Sequence, residues 1–546
     1  MKRKAVAAVL TAVMVASMFT GCGSDNGSSS AKSASAASAA SAANDTVDED
    51  GKVNGIMYQE GLPLVDEGDY TFSIFCDDSS ESGEFIMLDE FKKQTNVDVD
   101  LKIYPYETAT ERLNLDLNSG DYADVIGGWT LSDNAILTYG VNQGVFIPLE
   151  DYFEKYCPNI SAILDLPGVR EKMTAPDGHI YTIPYVCGDT TVGYSPYINT
   201  KWLENVGMSM PTTTDEFEAV LKAFKEQDAN GNGDASDEIP FSTDPNNKHI
   251  EAMAGYFGLP MNKLGIAIQN EKVVYGGVSD TYREFLSWFH KLYADGLVDV
   301  ELYTQDSSTW EGKGNQDLYG VSIAYGSNEF TGIPAAEERG DFDSMPVLNT
   351  DKGGIWLRDT EGFSVYRTQA VITNKAEHPE IICRWFDNAF ALENGIGCNR
   401  GPVGVIVNKE DDGYHAIDTT TLSEEDQEKY SWGNLWPQSL PKYLPVDFEF
   451  VEEHPMYDEK KATEEAYEAN LTKEIIPSYW IDLDKIDTFS DTNTAIKDFF
   501  EQQQAQFVCG ELDIDNDADW QAYVDGMYSL GLEDWVATQG IEEIAK

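Results

Sequence analysis

TFSIFC, residues 71–76, begins a regular alternation of short apolar runs with amphipathic runs. TFSIFC and ADVIGGW (123–129) are each bounded by polar or glycine residues and predict buried strands. Between them, FIMLDEFKKQTNVDVDLKIY (85–104) predicts a helix, a turn and a strand, and ATERLNLDLNSGD (109–121) predicts a second helix. This order predicts an α/β fold with a parallel or mixed sheet and flanking helices, whose folded body begins near Tyr70.

The alternation of strands and helices continues later in the chain. VSIAYG (321–326) and FSVYR (363–367) predict strands, whereas EIICRWFDNAFA (380–391) and TAIKDFFEQQQAQFV (494–508) predict helices. No repeat of fixed period is present, so the pattern does not indicate a solenoid.

PTTTDEFEAVLKAFKEQD, residues 211–228, is the clearest local signal for a helix. Thr213 followed by Glu216 forms a capping box, in which a hydroxyl caps the first turn. Apolar residues then recur with helical spacing on one face, and we expect the helix to end near Gln227. The residues of that face are Phe217, Val220, Leu221 and Phe224.

The composition describes a strongly acidic globular protein. The 546 residues carry a formal net charge of −59, and 42% of them are hydrophobic. Such a charge repels phosphate groups, so nucleic acids and anionic membrane surfaces are excluded as partners. The length allows roughly two to four domain-sized cores.

The N-terminus predicts a lipoprotein. A basic start, Met1–Lys4, precedes the uncharged stretch 5–19, which is too short for a transmembrane helix. Phe19-Thr20-Gly21-Cys22 resembles the bacterial lipobox, so residues 1–21 are predicted to be a signal peptide and Cys22 the lipidated residue. The alternative is an ordinary signal peptide with an incidental cysteine.

The segment after Cys22 predicts a tether. Residues 23–44 are almost entirely Gly, Ser and Ala, which favours a flexible chain, and residues 22–65 are together predicted to be the anchored tether. We therefore expect the protein on the extracellular face of a bacterial cell membrane, with membrane contact through the lipid alone. The six cysteines after Cys22 are widely scattered and are predicted to be mostly free, buried thiols.

DANGNGDASDE, residues 228–238, resembles a calcium-binding loop. Asp228, Asn230, Asn232 and Asp234 occupy positions 1, 3, 5 and 7 of an EF-hand-like pattern, with glycine at position 6. Position 12 is Ile239 instead of the usual glutamate, so the loop is not an EF-hand proper. Oxygen ligands favour Ca²⁺, and the alternative is a solvated acidic turn. A second acidic stretch, DIDNDAD (513–519), lacks the glycine and predicts a helix start.

Seven segments in order along the chain resemble the family 1 extracellular solute-binding proteins, the lipoprotein receptors of ATP-binding-cassette (ABC) importers. They are FKKQTNVDV, LNSGDYADVI, QGVFIPLEDYFEKYCPNI, DGHIYTIPY, NTKWLENVGMSMPTTTDEFEAVLKAF, HPEIICRWFDNAF and CGELDIDNDADWQAYVDGMYSLGL. Within the family, the set is similar to the subgroup associated with oligosaccharide uptake. The resemblance implies a monomer that performs no covalent chemistry and has a carbohydrate ligand and membrane permease subunits as partners.

The resemblance also implies an architecture and a metal loop. Two α/β lobes joined by a hinge would close over the ligand, the first comprising residues 66–185 and the second residues 186–354, each with part of 355–546. In the family's acidic loop the closing Asp-Glu pair binds structural Ca²⁺. Carried over, this adds Asp237 and Glu238 to the ligands and gives Asp234 a backbone-carbonyl role, although this chain has one more residue before the pair than is usual.

Candidate ligand-binding residues follow from the ends of the predicted strands and from loop aromatics. In open α/β sheets, ligands bind beyond the carboxyl ends of strands. Sugars need hydrogen-bonding groups at their rims and flat aromatic surfaces against their faces, and loop aromatics often supply the latter. The residues predicted to bind the ligand are Asp77, Asp78, Trp129, Trp310, Tyr325, Trp356, Arg358 and Trp432.

Two other functions remain open from the residues alone. A cell-surface glycoside hydrolase needs only two opposed carboxylates, and 96 Asp and Glu residues always supply a pair. The chain carries no HExxH, GxSxG or GxxxxGK[ST] motif, so we predict no catalytic residue and no enzyme. A glycan-binding adhesin that serves no importer is the other alternative.

Overall fold

A computed structural model describes residues 45–78, 84–244, 249–332, 340–445, 448–451 and 455–545. The predicted signal peptide, the lipidation residue Cys22 and residues 23–44 of the predicted tether lie outside the described residues. Within the described ranges, no helix combines the length and apolarity that crossing a membrane requires.

The first sheet has five strands and contains the elements predicted around residue 71. Its order is Val97–Tyr104, Tyr70–Asp77, Val125–Gly127, Phe363–Ile372 and Thr182–Gly188. The first three strands are parallel, Phe363–Ile372 joins them antiparallel, and Thr182–Gly188 pairs antiparallel with Phe363–Ile372 and so runs in the direction of the first three. Parallel neighbours need crossover helices, which are Ile86–Thr95 and Tyr106–Ser119. The predicted mixed α/β sheet is therefore confirmed.

The second sheet has four strands from the middle of the chain. Its order is Phe342–Ser344, Ser195–Asn199, Tyr319–Ala324 and Ile239–Thr243. Tyr319–Ala324 runs parallel to Ile239–Thr243 and antiparallel to Ser195–Asn199. Each sheet has its own hydrophobic core, which gives the two-lobed α/β fold that the sequence predicts. The lobe boundaries at 185/186 and 354/355 stay a prediction.

The remaining elements flank the two sheets. The short strands are Lys52–Val53, Met57–Tyr58, Ile266–Gln269, Lys272–Tyr275, Trp356–Arg358, Val407–Glu410, Gly413–Ala416, Leu471–Ile475 and Glu543–Ile544. The further α-helices of five or more residues are Glu150–Tyr156, Pro158–Leu164, Val169–Met173, Thr200–Val206, Thr214–Glu226, Asp280–Ala294, Ser307–Asn315, Pro379–Ala389, Leu392–Arg400, Glu424–Lys429, Pro455–Tyr467, Ile486–Cys509, Asp517–Ser529 and Leu532–Thr538.

The predicted helix after Thr213 forms as Thr214–Glu226. The Thr213 hydroxyl accepts the Glu216 N–H at 3.2 Å, as an N-cap should. The Glu216 carboxylate instead accepts from Thr212, the residue before the cap, through N–H and hydroxyl at 2.8 Å each. The predicted apolar face is fully buried in the second core. The acidic stretch 513–519 likewise begins a helix, with Asn516 capping Asp517–Ser529.

The folded body begins before Tyr70, which corrects the expected start and shortens the predicted tether. Val53, Met57 and Leu64 are buried in the first core. Arg384 fixes the same segment by donating to the carbonyls of Tyr58 and Gly61. The segment before Tyr70 is mostly polar, so its composition predicts a tether. Its few apolar residues nevertheless pack against the folded body.

The six cysteines from Cys76 onward are free thiols, and four of them are buried. Burial raises the pKa of Cys76 and Cys398 above the usual thiol value, so both remain protonated hydrophobic residues of the core.

Candidate functional site

Two segments, residues 189–194 and 359–362, run between the sheets, and we call them the crossing segments or the crossing. One edge of each sheet faces these segments. In the first sheet, Tyr70–Asp77 and Val125–Gly127 end at this edge, and Phe363 pairs with Gly188 there. In the second sheet, Ala324 pairs with Ser195 at the edge where residues 189–194 arrive. Strand carboxyl ends from both sheets therefore meet at the crossing, which is where ligands bind in open α/β sheets.

The crossing segments are hydrogen-bonded to each other. The Asp359 N–H donates to the Thr191 carbonyl at 3.0 Å, and the Thr360 hydroxyl donates to the Thr190 carbonyl at 2.9 Å. Glu464, on helix Pro455–Tyr467, accepts the Thr191 N–H at 2.6 Å. Helix Pro455–Tyr467 therefore contacts the crossing segments through this hydrogen bond.

Asp189 connects the two sheets through a single carboxylate. It accepts hydrogen bonds from the Tyr325 hydroxyl at 3.1 Å, the Ser364 hydroxyl at 2.5 Å and the Tyr366 hydroxyl at 3.1 Å. Tyr325 directly follows a strand of the second sheet, whereas Ser364 and Tyr366 belong to the first. Burial raises the pKa of both phenols, so they stay protonated and donate. Sequence reasoning missed Asp189, although it directly follows a strand end.

Four aromatic residues line the edge of the first sheet, and we call them the aromatic row. Trp129 is 44% exposed and meets Tyr366 edge to face, with ring centroids 5.3 Å apart. Tyr366 stacks on Tyr185 at 5.5 Å. Tyr106, which is 39% exposed, lies beside Trp129. The row offers aromatic faces next to the hydrogen-bonding groups around Asp189.

Asp77 and Asp78 lie at this edge but hold loops in place. The Asp77 carboxylate accepts the N–H groups of Trp129 and Thr130 at 3.0 and 2.6 Å. Gly128 between the two strand ends has φ 136°, and a Cβ there would collide with Asp77. Burial raises the pKa of Asp77, while the backbone donors oppose that shift. Asp77 therefore positions Trp129, whereas its direct contact with a ligand stays a prediction.

Asp78 holds the loop that carries Trp432 in place, as Asp77 does for the Trp129 loop. Its carboxylate accepts the Gln438 N–H at 2.8 Å, and the Gln438 side chain donates to the Trp432 carbonyl at 2.9 Å. Trp432 is 53% exposed on this loop. The structure thus brings four predicted residues to one edge, which are Asp77, Asp78, Trp129 and Trp432.

Trp310 and Trp356 are core residues, which corrects their predicted ligand-binding role. Trp310 is 3% exposed, and its indole N–H donates to the Ser322 hydroxyl at 3.1 Å. Trp356 is 1% exposed and packs against Tyr256 and Tyr467. Trp310 lies on a helix and Trp356 on a short strand, so neither occupies the loop that its polar sequence neighbours indicate.

Arg358 and Tyr325 are also occupied by contacts within the protein. Arg358 donates to the Thr472 carbonyl at 3.1 Å and pairs with Glu468, so its predicted ligand contact has no support here. Tyr325 lies at the second-sheet edge, but the Lys460 ammonium covers one face of its ring at 3.7 Å from the centroid. Tyr325 is therefore not an open aromatic platform on that face.

The acidic loop 228–238 folds into a closed turn. The Asn230 and Asn232 amides donate to Asp237 at 3.2 and 2.7 Å, and the Gly233 N–H donates to Asp228 Oδ2 at 3.0 Å. Gly231 and Gly233 take left-handed φ values of 75° and 95°, which let the chain curl tightly.

The loop also leaves two carboxylate oxygens without a donor. Asp228 Oδ1 and Glu238 Oε2 are buried and accept no hydrogen bond from the described residues. Burial raises the pKa of Glu238, and its other oxygen accepts the Ala229 N–H at 2.9 Å. Unsatisfied buried carboxylate oxygens at the first and last loop positions fit a bound hard cation.

A family model of the bacterial extracellular solute-binding proteins matches residues 78–395. The chain belongs to this family. The matched range contains the aromatic row, both crossing segments and the acidic loop.

Known members resemble this solute-binding protein over most of its length. The fructooligosaccharide ABC transporter substrate-binding protein FusA of Streptococcus pneumoniae is 32% identical over 411 residues, which cover 73% of this chain and 70% of FusA. The structure of FusA in complex with kestose has a TM-score of 0.74 at 27% identity and covers 86% of this chain and 98% of that one. A solute-binding protein from Bifidobacterium longum infantis that binds human milk oligosaccharides (HMO) shares the fold, with a TM-score of 0.70 at 21% identity over 87% of this chain and 98% of that one.

One relative also bears on the acidic loop of this solute-binding protein. FusA has been solved as an EF-hand mutant in complex with fructo-nystose, with a TM-score of 0.73 at 27% identity over 86% of this chain and 98% of that one. A loop of the EF-hand kind therefore exists in FusA.

Proposed function

We propose that this solute-binding protein captures an oligosaccharide between the two sheet edges and delivers it intact to the permease subunits of an ABC importer. The observation that carries the proposal is the aromatic row next to the Asp189 hydrogen-bond network. Aromatic faces suit the apolar faces of sugar rings, and hydroxyl and carboxylate groups suit their rims. The fructooligosaccharide ligands of FusA, a relative at 32% identity, support the same class of ligand.

The capture mechanism follows from the crossing segments. The crossing segments and the helix Pro455–Tyr467 link the two sheet edges, and a rotation about residues 189–194 and 359–362 would close the lobes over a ligand. Asp189 sits on this axis and bonds to both lobes, which aligns the edges in the closed state. We assign the lobes to residues 66–185 and 186–354, each completed by part of 355–546.

The location and the metal are part of the proposal. Lipidation at Cys22 would hold a monomer on the extracellular face of the cell membrane, beside the permease, and the segment after it would act as the tether. A structural Ca²⁺ would be held by Asp228, Asn230, Asn232, Asp237, Glu238 and the carbonyl of Asp234. The ion would neutralise the buried acids and fix the end of helix Thr214–Glu226 to the next strand.

The test is a calorimetric screen of the purified chain against an oligosaccharide panel, followed by mass spectrometry of the recovered sugars. We expect binding of at least one oligosaccharide and recovery of the sugar at its original mass. Cleavage products would establish the glycoside hydrolase alternative and contradict the proposal. Sugar uptake should also be compared between a strain that has the permease genes and a strain that lacks them. Binding of the sugar without import in both strains would instead support an adhesin.

Asp189→Asn is expected to lower oligosaccharide affinity about tenfold, because an amide oxygen cannot accept from three hydroxyls as the carboxylate does. Asp359→Asn is a matched control, since Asp359 accepts the Gly193 N–H at 2.7 Å through one oxygen, which an amide preserves. Calorimetry on both variants measures the difference. Equal losses in the two variants would show that only the net charge matters and would contradict the role given to Asp189.

A further inference from the structure

The crossing between the sheet edges is rich in carboxylates that are satisfied by neutral donors. Glu329 accepts the Tyr325 N–H at 2.9 Å, Glu459 accepts the Ser327 N–H at 2.9 Å, and Glu464 accepts the Thr191 N–H and hydroxyl. Asp189 is bound by three hydroxyls, as described above. For Asp189, Glu459 and Glu464, hydrogen bonds from neutral groups stabilise the carboxylate without cancelling its charge, whereas burial raises the pKa of Glu329 to about 7.

The one cation in the midst of these acids is already engaged, among the residues whose contacts the structure describes. Lys460 is 7% exposed, donates to the Gly193 carbonyl at 3.1 Å and lies over the Tyr325 ring. Burial lowers the pKa of Lys460 to about 8, against the opposing effect of the neighbouring carboxylates. A single buried ammonium therefore faces the carboxylates of Asp189, Glu459 and Glu464, together with the Glu329 carboxyl group.

The cations on the first-sheet side are engaged as well. Arg367 binds Asp133 through both arms of its guanidinium and stacks on Trp480 at 4.1 Å. Lys442 is 2% exposed and donates to the carbonyl and side-chain oxygens of Gln438. Arg400 donates to the Asn399 carbonyl and has further partners. Each of these groups would have to give up a partner before it could pair with a ligand anion.

From these contacts we infer that the cleft selects uncharged oligosaccharides and rejects chains that carry uronate carboxylates. The inference rests on the proposed function and narrows its ligand class. The aromatic row accepts the faces of any sugar ring, whereas a uronate would place a further negative charge beside Asp189, Glu459 and Glu464. The net charge of −59 on the whole chain acts in the same direction.

The test compares neutral oligosaccharides (fructo-, xylo-, gluco- and manno-oligosaccharides) with oligogalacturonate and oligoalginate of the same length, by calorimetry at low and at physiological salt. We expect the affinity for neutral oligosaccharides to change little with salt, and the affinity for uronate oligosaccharides to be at least about 100-fold lower. This difference in affinity should become smaller at the higher salt concentration, because salt screens the repulsion. Uronate binding as tight as the best neutral sugar would overturn the inference and leave the proposed function standing. Absence of binding to any sugar would overturn the proposed function and the inference with it.

Glu464→Gln links the selectivity to the crossing, because Glu464 accepts the N–H and hydroxyl of Thr191. It removes one negative charge with little change of shape, and we expect the ratio of neutral to uronate affinity to fall about threefold to tenfold. Glu533→Gln makes the same charge change at an exposed position of helix Leu532–Thr538, which packs against helix Ile486–Cys509, and should leave the ratio unchanged. Equal changes in the two variants would assign the selectivity to overall charge and overturn the role of the crossing.

Discussion

Trp129→Ala is expected to weaken oligosaccharide binding by about 30-fold, which corresponds to about 2 kcal/mol of lost contact. Trp129 is the most exposed member of the aromatic row, and Asp77 fixes its backbone at the strand end. Removing the indole therefore deletes the most exposed ring of the aromatic row while the loop keeps its anchor. Calorimetric titration of the variant with the best-binding oligosaccharide measures the loss.

Trp310→Phe is the matched control for Trp129→Ala. Trp310 is buried in a small core of the second lobe, where its indole N–H bonds to Ser322. Its replacement should lower the melting temperature and leave the affinity within about twofold, because no ligand reaches a buried ring. A Trp129 variant that keeps wild-type affinity, or a Trp310 variant that loses it, would contradict the assigned site.

Removal of calcium is expected to lower the melting temperature by on the order of 5–10 °C, and added Ca²⁺ should restore it. A ligand present at about 100 times its Kd stabilises the folded state by about 2.7 kcal/mol, and each kcal/mol shifts the melting temperature of a domain of this size by about 2–4 °C. The physical cause is the pair of buried oxygens, Asp228 Oδ1 and Glu238 Oε2, which accept no hydrogen bond from the described residues and which a cation would coordinate. Thermal unfolding with and without a chelator gives the shift.

Two variants locate the calcium effect. Asp228→Ala should abolish the response to chelator and to added Ca²⁺, since it removes the first loop ligand. Asp515→Ala removes a carboxylate from the other acidic stretch, where Asp515 accepts the Ser287 hydroxyl at 3.0 Å, and should keep the full calcium response. A chelator response that persists in Asp228→Ala would refute the loop as the calcium site.

The elements that sequence reasoning predicted are those whose determinants are local. Helix Thr214–Glu226 has its cap, its apolar face and its end within one short segment, and each lies where the periodicity indicates. The strand–helix alternation around Tyr70–Asp77 likewise needs no distant information. The turn of the acidic loop could be predicted for the same reason, because its proposed ligands all lie within residues 228–238.

The cleft could not be predicted from the sequence, because it is formed by contacts between residues far apart in the chain. Asp189, Tyr325 and Tyr366 meet only because two antiparallel pairings bring their strand ends to the same edge, and no local pattern encodes that meeting. Trp310 and Trp356 were misassigned because polar neighbours in sequence do not determine on which side of an element an indole lies. Asp77 was placed at the correct edge, but its bonds to the Trp129 loop depend on the fold.

The most direct test of the central claim is a crystal structure of the protein with the neutral oligosaccharide that binds most tightly in the calorimetric screen. We expect sugar rings between the two sheet edges, in contact with Trp129 and Tyr366 and hydrogen-bonded close to Asp189. A sugar bound instead in the open groove of about 830 Å³ on the outer face of the second lobe, lined by Arg283 and Trp288, with the aromatic row bare, would contradict it.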